Sequence, residues 1–411
     1  MKVDKCKGFQ DLTPAEMGLF RRIEDGFRQQ CLKWGYQEVR TPTLEYLYLF
    51  TSVGTLTPGM LRRVYSFLDW DGWSGERVVL KPDGTIPVAR MYIENMAAEK
   101  VARLFYVTNV FMFDETGKKS RERWQCGAEL IGANTPLADA ELITLAADVL
   151  RGLGIEDVEF RLSHAGLIKA LLARLELSHS QQNELFDRIL DGDRQALASL
   201  KPDKPELVDA LSLLLDMKGE SFGFLGNVKA MLLLQIPETG ACLDNFAAVC
   251  RLIEAAGCKY NIDIASGKGF EYYTGVIFHL FSGGRNIGGG GRYDALISQM
   301  GGQDKPSAGF ALYMNRVMQL VKQNGQAQDK AEKVLVQAAP GAETAALEAA
   351  ARLRRAGYVA EMDLGQAGTA GCGWLLKVKS GSPCFTLFNK TDNKESELGG
   401  IDEVVDRLGC G

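Results

Sequence analysis

Residues 261–294 have the sequence NIDIASGKGFEYYTGVIFHLFSGGRNIGGGGRYD. Two apolar segments, one around Ile262 and one at residues 276–278, predict a pair of strands. The polar and aromatic residues 268–273 lie between them, and four successive glycines follow at residues 288–291. Because glycine has no side chain, a ligand or another chain segment can approach such a backbone closely. The stretch therefore predicts either a small polar ligand lying on a sheet or a glycine-rich surface hairpin with a flexible tip.

The composition is that of an ordinary globular protein. The chain has 411 residues, enough for two or three domains, and is 46% hydrophobic and 24% charged. Its net charge of −5 argues against a nucleic-acid-binding protein, whose surface is normally basic. No apolar run reaches the length of a membrane span, and the first residues, MKVDKCKGFQ, are too polar for a secretory signal. We therefore expect a cytoplasmic protein that does not interact with a membrane.

The cysteines and histidines do not indicate a metal site. The nine cysteines include no CxxC pair and are typical of reduced thiols. The three histidines, His164, His179 and His279, are far apart in the sequence. We expect neither a structural zinc ion nor a cofactor.

Two long strands are predicted at residues 103–114 and 124–132, joined by a basic loop. Alternation along the second strand puts Gln125 and Glu129 on one face. The opposite face carries apolar residues and is predicted to be core: Cys126, Ala128 and Leu130. Burying an unpaired carboxylate is expensive, so the polar face is either exposed to solvent or in contact with a ligand that offers donors.

A strand-to-helix junction is predicted at residues 81–87, which read KPDGTIP. Asp83 and Thr85 stand on either side of a glycine there, next to the first backbone N–H groups of the predicted helix 88–96. Both side chains could therefore face a ligand at the start of the helix. The equally weighted alternative is that they only cap this helix.

The remaining pattern predicts three further parts of the chain. Residues 1–322 form a main domain, in which the leucine-rich and mostly helical residues 165–258 are an insertion. The polar residues 323–332 are a linker. Residues 333–411 form a small α/β domain with nine Lys and Arg and ten Asp and Glu, a net charge of −1. This near-neutral charge argues against tRNA as a partner, because phosphate binding requires clustered cations.

Several motifs together resemble the core of histidyl-tRNA synthetase, a class II aminoacyl-tRNA synthetase, over roughly residues 5–320. They occur in the order found in that family: KPDGTIPVAR (81–90), a motif 2-like segment (105–132), KGFEYYTG (268–275), GGRYD (290–294) and AGFAL (308–312). The resemblance implies an α+β fold, with an antiparallel sheet of six or seven strands flanked by helices. It also implies a homodimer and a C-terminal domain similar to an anticodon-binding domain.

The resemblance further implies a pocket for histidine. Glu129 would hold the imidazole, Lys268 would meet the carboxylate, and the α-amino group would meet Asp83, Thr85 and Gln125. Two aromatic residues would line the pocket: Tyr272 and Tyr273.

Departures from the synthetase pattern concern ATP. The arginine that grips the α-phosphate in the synthetases is replaced by Met112, and a thioether cannot donate to phosphate. The arginine of the histidine signature is Lys268, which keeps the charge but loses the bidentate fork. Near motif 3 the usual small residue and acid are Tyr313 and Asn315, and Asp83 is one methylene shorter than the family's glutamate. We therefore expect a protein that does not adenylate histidine efficiently.

A synthetase-like body that keeps a histidine pocket resembles the regulatory subunits of ATP phosphoribosyltransferase. The resemblance implies a non-catalytic subunit that joins a short-form catalytic subunit within a hetero-oligomer. Together they would carry out the first step of histidine biosynthesis, under feedback inhibition by histidine. Two alternatives stay open: a divergent histidyl-tRNA synthetase or histidine-activating enzyme, and a scaffold with a vestigial pocket.

Overall fold

The computed structural model describes residues 4–53, 61–70, 75–114, 120–175, 177–178, 181–182, 185, 188, 195, 205–216, 218–233, 236–264, 273–323, 333–365 and 372–409. The chain divides into two compact units, residues 1–326 and 327–411. Most of the predicted linker 323–332 lies outside the described residues. None of the described helices is both long and apolar enough to cross a membrane.

The described helices of the first unit are α1 (Pro14–Lys33), α2 (Leu47–Ser52), α3 (Thr85–Asn95), α4 (Pro136–Gly152), α5 (Ala165–Ala173), α6 (Pro205–Asp216), α7 (Phe222–Leu232), α8 (Thr239–Ala255), α9 (Leu296–Gln299) and α10 (Met314–Gln323). Its described strands are β1 (Gln37–Glu38), β2 (Leu44–Tyr46), β3 (Ser66–Trp70), β4 (Gly75–Leu80), β5 (Ala102–Phe111), β6 (Glu122–Ile131), β7 (Glu159–His164), β8 (Lys218–Gly219), β9 (Tyr260–Asp263), β10 (Val276–Ser282), β11 (Arg285–Arg292) and β12 (Ser307–Tyr313).

Helix α1 shows how local sequence sets an element. Thr13 is its N-cap, its hydroxyl accepts from the Glu16 backbone N–H, and the Glu16 carboxylate accepts from the Thr13 backbone N–H at 2.9 Å. This reciprocal capping box satisfies two N–H groups that have no partner inside the helix. The face formed by Phe20, Ile23 and Phe27 is then buried in the main core.

A nine-stranded sheet forms the centre of the first unit, in the order β1-β5-β6-β12-β11-β10-β7-β9-β8. The six strands from β5 to β7 in this order are antiparallel, as the fold prediction expects. Short parallel pairs add β1 at one edge and β9 at the other, and β8 continues from β9. The two strands predicted around Ile262 and residues 276–278 are β9 and β10, but β7 lies between them, so they are not a hairpin.

The two faces of this sheet differ. The predicted core residues of β6 are buried beneath α1 and α4 in the larger core: Cys126, Ala128 and Leu130. The other face carries a smaller core that includes Leu104, Ile277 and residues of α3. The candidate site lies on this second face.

The four glycines at residues 288–291 lie inside β11, between β10 and β12. They are buried, so the alternative of a flexible surface hairpin tip is wrong. Glycine is unfavourable in a strand on its own, and pairing on both sides compensates for this. The backbone also requires small residues here, because a Cβ at Gly290 would collide with the Gly309 carbonyl.

Arg292 ends β11 in a buried ion pair. Its guanidinium contacts the Asp139 carboxylate of α4 at 2.8 Å, and both side chains are almost fully buried. It also donates to the Ala133 carbonyl at 3.0 Å and to Asp294 at 2.9 Å. Arg292 belongs to the stretch 261–294 that predicts a polar ligand on a sheet, but it is opposite Ala308 in the register and faces α4, so it does not face the candidate site.

A small three-stranded sheet, ordered β2-β4-β3, stands beside the main sheet. Val79 of β4 and Phe50 of α2 are buried in the smaller core. The Arg90 guanidinium of α3 binds the Glu45 carboxylate of β2 with two hydrogen bonds, at 2.7 and 2.9 Å. At the end of β4, the buried Lys81 ammonium donates to the Thr41 hydroxyl at 3.1 Å.

The second unit contains a five-stranded sheet and two described helices, α11 (Glu343–Arg355) and α12 (Ile401–Gly409). Its strands are β13 (Lys333–Ala338), β14 (Val359–Met362), β15 (Trp374–Val378), β16 (Phe385–Asn389) and β17 (Lys394–Leu398), in the order β14-β13-β15-β16-β17. The first three are parallel and the last two antiparallel. The small α/β domain predicted for residues 333–411 has this mixture of helices and strands, but β17, an edge strand of alternating charged residues, is not predicted by the sequence pattern.

Removing Arg292 tests the buried ion pair. Arg292→Met leaves the Asp139 carboxylate buried without its cation, so we expect the free energy of unfolding to fall by about 3–5 kcal/mol. Urea denaturation of the first unit measures it. Arg174→Met, which removes an exposed pair with Glu238, should change it by less than about 1 kcal/mol. Similar losses in both variants would contradict this role for Arg292.

Candidate functional site

The candidate site is built around Glu129 in the middle of β6. Its neighbours across the sheet are Leu104 on β5 and Gly309 on β12. The side chain is 1% exposed, so the alternative of a solvent-exposed polar row is wrong at this position. A buried carboxyl group needs hydrogen-bond donors around it.

Three hydroxyl groups supply those donors. Thr85, the first residue of α3, donates to Glu129 Oε1 at 2.8 Å. Tyr106 of β5 donates to the same oxygen at 3.1 Å, and Tyr293, which directly follows β11, donates to Oε2. Three separate elements therefore converge on one carboxyl group.

The ionisation of Glu129 is strongly perturbed. Its pKa is raised to about 8: burial is the largest cause, the hydroxyls of Tyr293, Thr85 and Tyr106 oppose it, and the nearby charge of Asp83 adds to it. Its charge therefore changes near neutral pH, where histidine also titrates. A perturbed carboxyl group of this kind is characteristic of functional sites.

The floor beside Glu129 consists of very small residues on the same face. The register aligns Gly127 with Tyr106 and Ala311, and aligns Gly291 with Gly309. A Cβ at Gly309 would collide with the Glu129 carboxylate, and one at Gly127 would collide with the Tyr106 ring. The absence of side chains at these positions is what lets the carboxyl group and the tyrosine share the space above the sheet.

Asp83 lies at the start of α3, two residues before Thr85. Its carboxylate accepts from the Ile86 backbone N–H at 3.0 Å, as a capping residue does. Burial raises its pKa, while the backbone N–H groups of Ile86, Thr85 and Gly84 lower it. Asp83 thus caps the start of α3, and its contact with a ligand stays a prediction, whereas the Thr85 hydroxyl donates to Glu129.

The other predicted site residues occupy different positions. Gln125 pairs with Tyr313 across the ladder, and no donor among the described residues reaches its buried Oε1. Tyr273 is buried, with its ring centroid 6.4 Å from that of Tyr293. Lys268 and Tyr272 lie outside the described residues, so their roles stay predictions.

Sequence reasoning missed Tyr106 and Tyr293 as parts of the site. Tyr293 lies in the quoted GGRYD motif, so its position was available as a signal. Tyr106 is opposite Gly127, and a predicted β5–β6 register would have placed its side chain on the Glu129 face.

Positively charged side chains lie near the end of β5, although Met112 stands where the synthetases have an arginine. Burial lowers the pKa of Arg123, and the neighbouring charges of Arg63 and Arg316 lower it further. The Arg316 guanidinium lies over the Tyr313 ring, 5.0 Å from its centroid. Positive charge is therefore retained here, although not at position 112.

A separate groove of about 390 Å³ lies where α1, α4 and α8 meet. Its polar side chains are already bonded within the chain: Glu141 to Arg103, and Asp148 to Arg151. It brings together none of the predicted site residues. Within the described ranges, no group of three or more His, Cys, Asp or Glu is arranged to hold a metal ion.

Comparison with known proteins connects this geometry to a family. A family model described as Histidyl-tRNA synthetase matches residues 8–317. An ATP phosphoribosyltransferase regulatory subunit from Dehalococcoides mccartyi strain BAV1 is 53% identical over 98% of this chain and 98% of its own length. The chain belongs to the ATP phosphoribosyltransferase regulatory subunit family. A second member of that family, from strain CBDB1, is 52% identical with the same coverage.

The regulatory subunit family shares its fold with the ligases. The histidine–tRNA ligase of Archaeoglobus fulgidus is 32% identical over 89% of this chain and 86% of its own length. A Bacillus halodurans structure, described as an ATP phosphoribosyltransferase regulatory subunit/histidyl-tRNA synthetase, has a TM-score of 0.75 at 24% identity, covering 90% of this chain and 95% of its own. Histidyl-tRNA synthetase from Nostoc sp. PCC 7120 has a TM-score of 0.77 at 18% identity, covering 99% and 100%. The α+β, class II synthetase-like fold is thus confirmed.

The perturbed pKa of Glu129 predicts how stability depends on pH. The folded protein keeps a proton up to about pH 8 that the unfolded chain releases near its ordinary value of 4.5. The free energy of unfolding should therefore fall as pH rises between these values, by up to about 1.4 kcal/mol per pH unit. Glu129→Gln, which cannot ionise, should lack this part of the slope.

Thermal unfolding between pH 5 and 8.5 measures the difference between the two proteins. Subtracting the unfolding free energy of the variant from that of the wild type removes the contribution of other titrating groups. One such group is Asp139, whose pKa is raised to about 6, mainly by burial. Parallel curves for both proteins would show that Glu129 is ionised throughout this range.

Proposed function

We propose that this chain is the non-catalytic regulatory subunit of an ATP phosphoribosyltransferase and that it senses free histidine at Glu129. It joins a short-form catalytic subunit in the cytoplasm and regulates the first step of histidine biosynthesis. The family supports the regulatory role. The observation that carries the choice of ligand is the convergence of three hydroxyl donors on one buried carboxyl group, beside a floor of glycine and alanine.

Glu129 suits an imidazole because the two groups can share one proton. A protonated carboxyl group can donate to neutral imidazole, and a carboxylate can accept from imidazolium. A pKa of about 8 for Glu129 keeps that proton available at neutral pH. The hydroxyls of Thr85, Tyr106 and Tyr293 fix the position of the carboxyl group, so the ligand does not have to order it.

The rest of histidine needs an anionic or polar partner for its ammonium and a cation for its carboxylate. Asp83 and the unsatisfied Gln125 Oε1 offer the first, at the end of the site next to α3. Lys268 is proposed for the second on the sequence resemblance alone. Histidine sensing requires only micromolar to millimolar affinity, about −8 to −4 kcal/mol, which a few such contacts can provide.

We propose that ATP activation is lost in this chain. Met112 offers no donor to an α-phosphate, and removing such a clamp typically costs about a hundred-fold or more in rate. One observation favours a second candidate, a histidine-activating enzyme. Arg63, Arg123 and Arg316 keep positive charge near the same end of the sheet.

Reconstitution with the short-form catalytic subunit tests the proposal. We expect the chain to raise phosphoribosyltransferase activity and histidine to reduce it, with a coupling of about 1–3 kcal/mol, or five- to 150-fold. Glu129→Ala should keep the activation and lose the histidine response, together with calorimetric binding of histidine. Leu364→Ala, an exposed substitution in the second unit, is the control.

Two results would contradict this function. Histidine-dependent ATP–pyrophosphate exchange well above background would identify the chain as an activating enzyme. Activation of the catalytic subunit without any binding of histidine would identify a scaffold whose pocket is vestigial.

We also propose that the chain forms a homodimer through the small sheet. Phe67, Tyr46 and Leu44 lie on one face of β3 and β2, and each is 41–45% exposed. Tyr48 stacks on Tyr46, with the ring centroids 5.4 Å apart. A cluster of exposed apolar side chains of this kind is typical of a protein–protein interface.

Placing a charge on this face tests the homodimer. Phe67→Lys should shift sedimentation from dimer to monomer at micromolar concentration, because a symmetric interface buries the new charge twice. The exposed position predicts a change in the unfolding free energy of the isolated chain within about 0.5 kcal/mol. Leu364→Lys is the matched control and should leave the dimer intact. A dimeric Phe67→Lys variant would place the interface elsewhere.

A further inference from the structure

A second apolar surface lies on the opposite side of strand β3. The register pairs Leu68 with Arg77 and Trp70 with Gly75, whereas Phe67 pairs with Val78. Because side chains alternate along a strand, Leu68 and Trp70 point away from the face that carries Phe67. We call the surface formed by Leu68, Trp70 and Arg77 the Trp70 surface.

The Trp70 surface is exposed and ordered by its own packing. Trp70 is 69% exposed and Leu68 is 54% exposed. The Trp70 ring packs close to the Gly75 backbone, since a Cβ built on Gly75 would lie 3.3 Å from Trp70 Cε3. Little further ordering of the indole is then needed when a partner binds, which lowers the entropic cost of the contact.

The positive charge of Arg77 on this surface is not balanced by a described carboxylate. The Arg77 guanidinium donates to the Ser66 hydroxyl at 3.2 Å, and no described carboxylate lies within ion-pair distance of it. The acidic residues of this hairpin, Asp69 and Glu76, pair with each other in the register and belong to the Phe67 face. A partner that covers Leu68 and Trp70 therefore gains most if it supplies a carboxylate to Arg77.

The two faces of β3 call for two different partners. A second copy of the chain that packs flat on Phe67 and Tyr46 leaves Leu68 and Trp70 uncovered on the reverse side. Exposed tryptophan beside an arginine that has no ion pair among the described residues is also the residue composition of interface hot spots.

We infer that the Trp70 surface docks the short-form catalytic subunit, which presents an apolar pocket bordered by a carboxylate. This inference rests on the proposed regulatory function. Strand β4 (Gly75–Leu80) carries Arg77 of the docking surface, and Asp83 of the proposed pocket follows three residues after the end of the strand. Buried Val79 and Lys81 anchor this segment to the first unit. A displacement of the loop that carries Asp83 would therefore be transmitted to the docked partner through a short and rigid segment.

Binding to the purified short-form catalytic subunit tests the inference, with biolayer interferometry for affinity and sedimentation for self-association. We expect Trp70→Ala to weaken binding about 30-fold or more, as hot-spot truncations do. Arg77→Glu should weaken it at least about ten-fold, with the loss shrinking as salt is raised. Both variants should remain dimers with an unchanged midpoint of unfolding and unchanged affinity for histidine. The matched controls are Leu364→Ala and Arg355→Glu, both on the second unit.

Each outcome has a defined meaning. Wild-type affinity for the catalytic subunit in both Trp70→Ala and Arg77→Glu would overturn the docking surface while leaving the regulatory function intact. Loss of the dimer in Trp70→Ala would assign this surface to self-association and also overturn the inference. Failure of the wild-type chain itself to bind the catalytic subunit would remove the proposed function, and the inference with it.

Discussion

The burial of the Glu129 carboxyl group is the constraint that shapes this site. Removing such a group from water is costly unless hydrogen bonds replace the lost solvation. Here the replacement comes from hydroxyls rather than from a cation, since the described donors are Thr85, Tyr106 and Tyr293. Hydroxyls satisfy the oxygens without adding a positive charge, and the proposed histidine would supply a cationic or proton-bearing group that the described residues do not provide.

The rest of the fold keeps those hydroxyls in place. Tyr293 follows directly after Arg292, whose buried pairing with Asp139 anchors the end of β11 to α4. Thr85 begins α3, and the Arg90–Glu45 pair fastens that helix to the small sheet. Helix α3 therefore supports both the Glu129 site and the small sheet, so the proposed histidine site and the proposed assembly surface share one support.

The alternation of apolar and polar residues was enough to predict the β5–β6 hairpin and the core face of β6, because successive side chains of a strand point to opposite faces. It failed in β11, where four glycines give no alternation and so do not indicate which way Arg292 points. The strand itself was missed because glycine has low strand propensity and its pairing partners are distant in the sequence. The β17 strand was missed for a related reason: Lys394, Glu395 and Glu397 look like a solvated turn until an edge position explains them.

The glycine floor has a consequence for how the proposed histidine site can diversify. Gly127 and Gly309 have no space for even one methyl group, so mutation cannot reshape the bottom of the cavity without dislodging Tyr106 or Glu129. A change of preferred metabolite would have to come through the walls, at the threonine and the two tyrosines. Lineages that need a different effector could therefore exchange a few hydroxyl-bearing side chains and inherit the sheet beneath them unaltered.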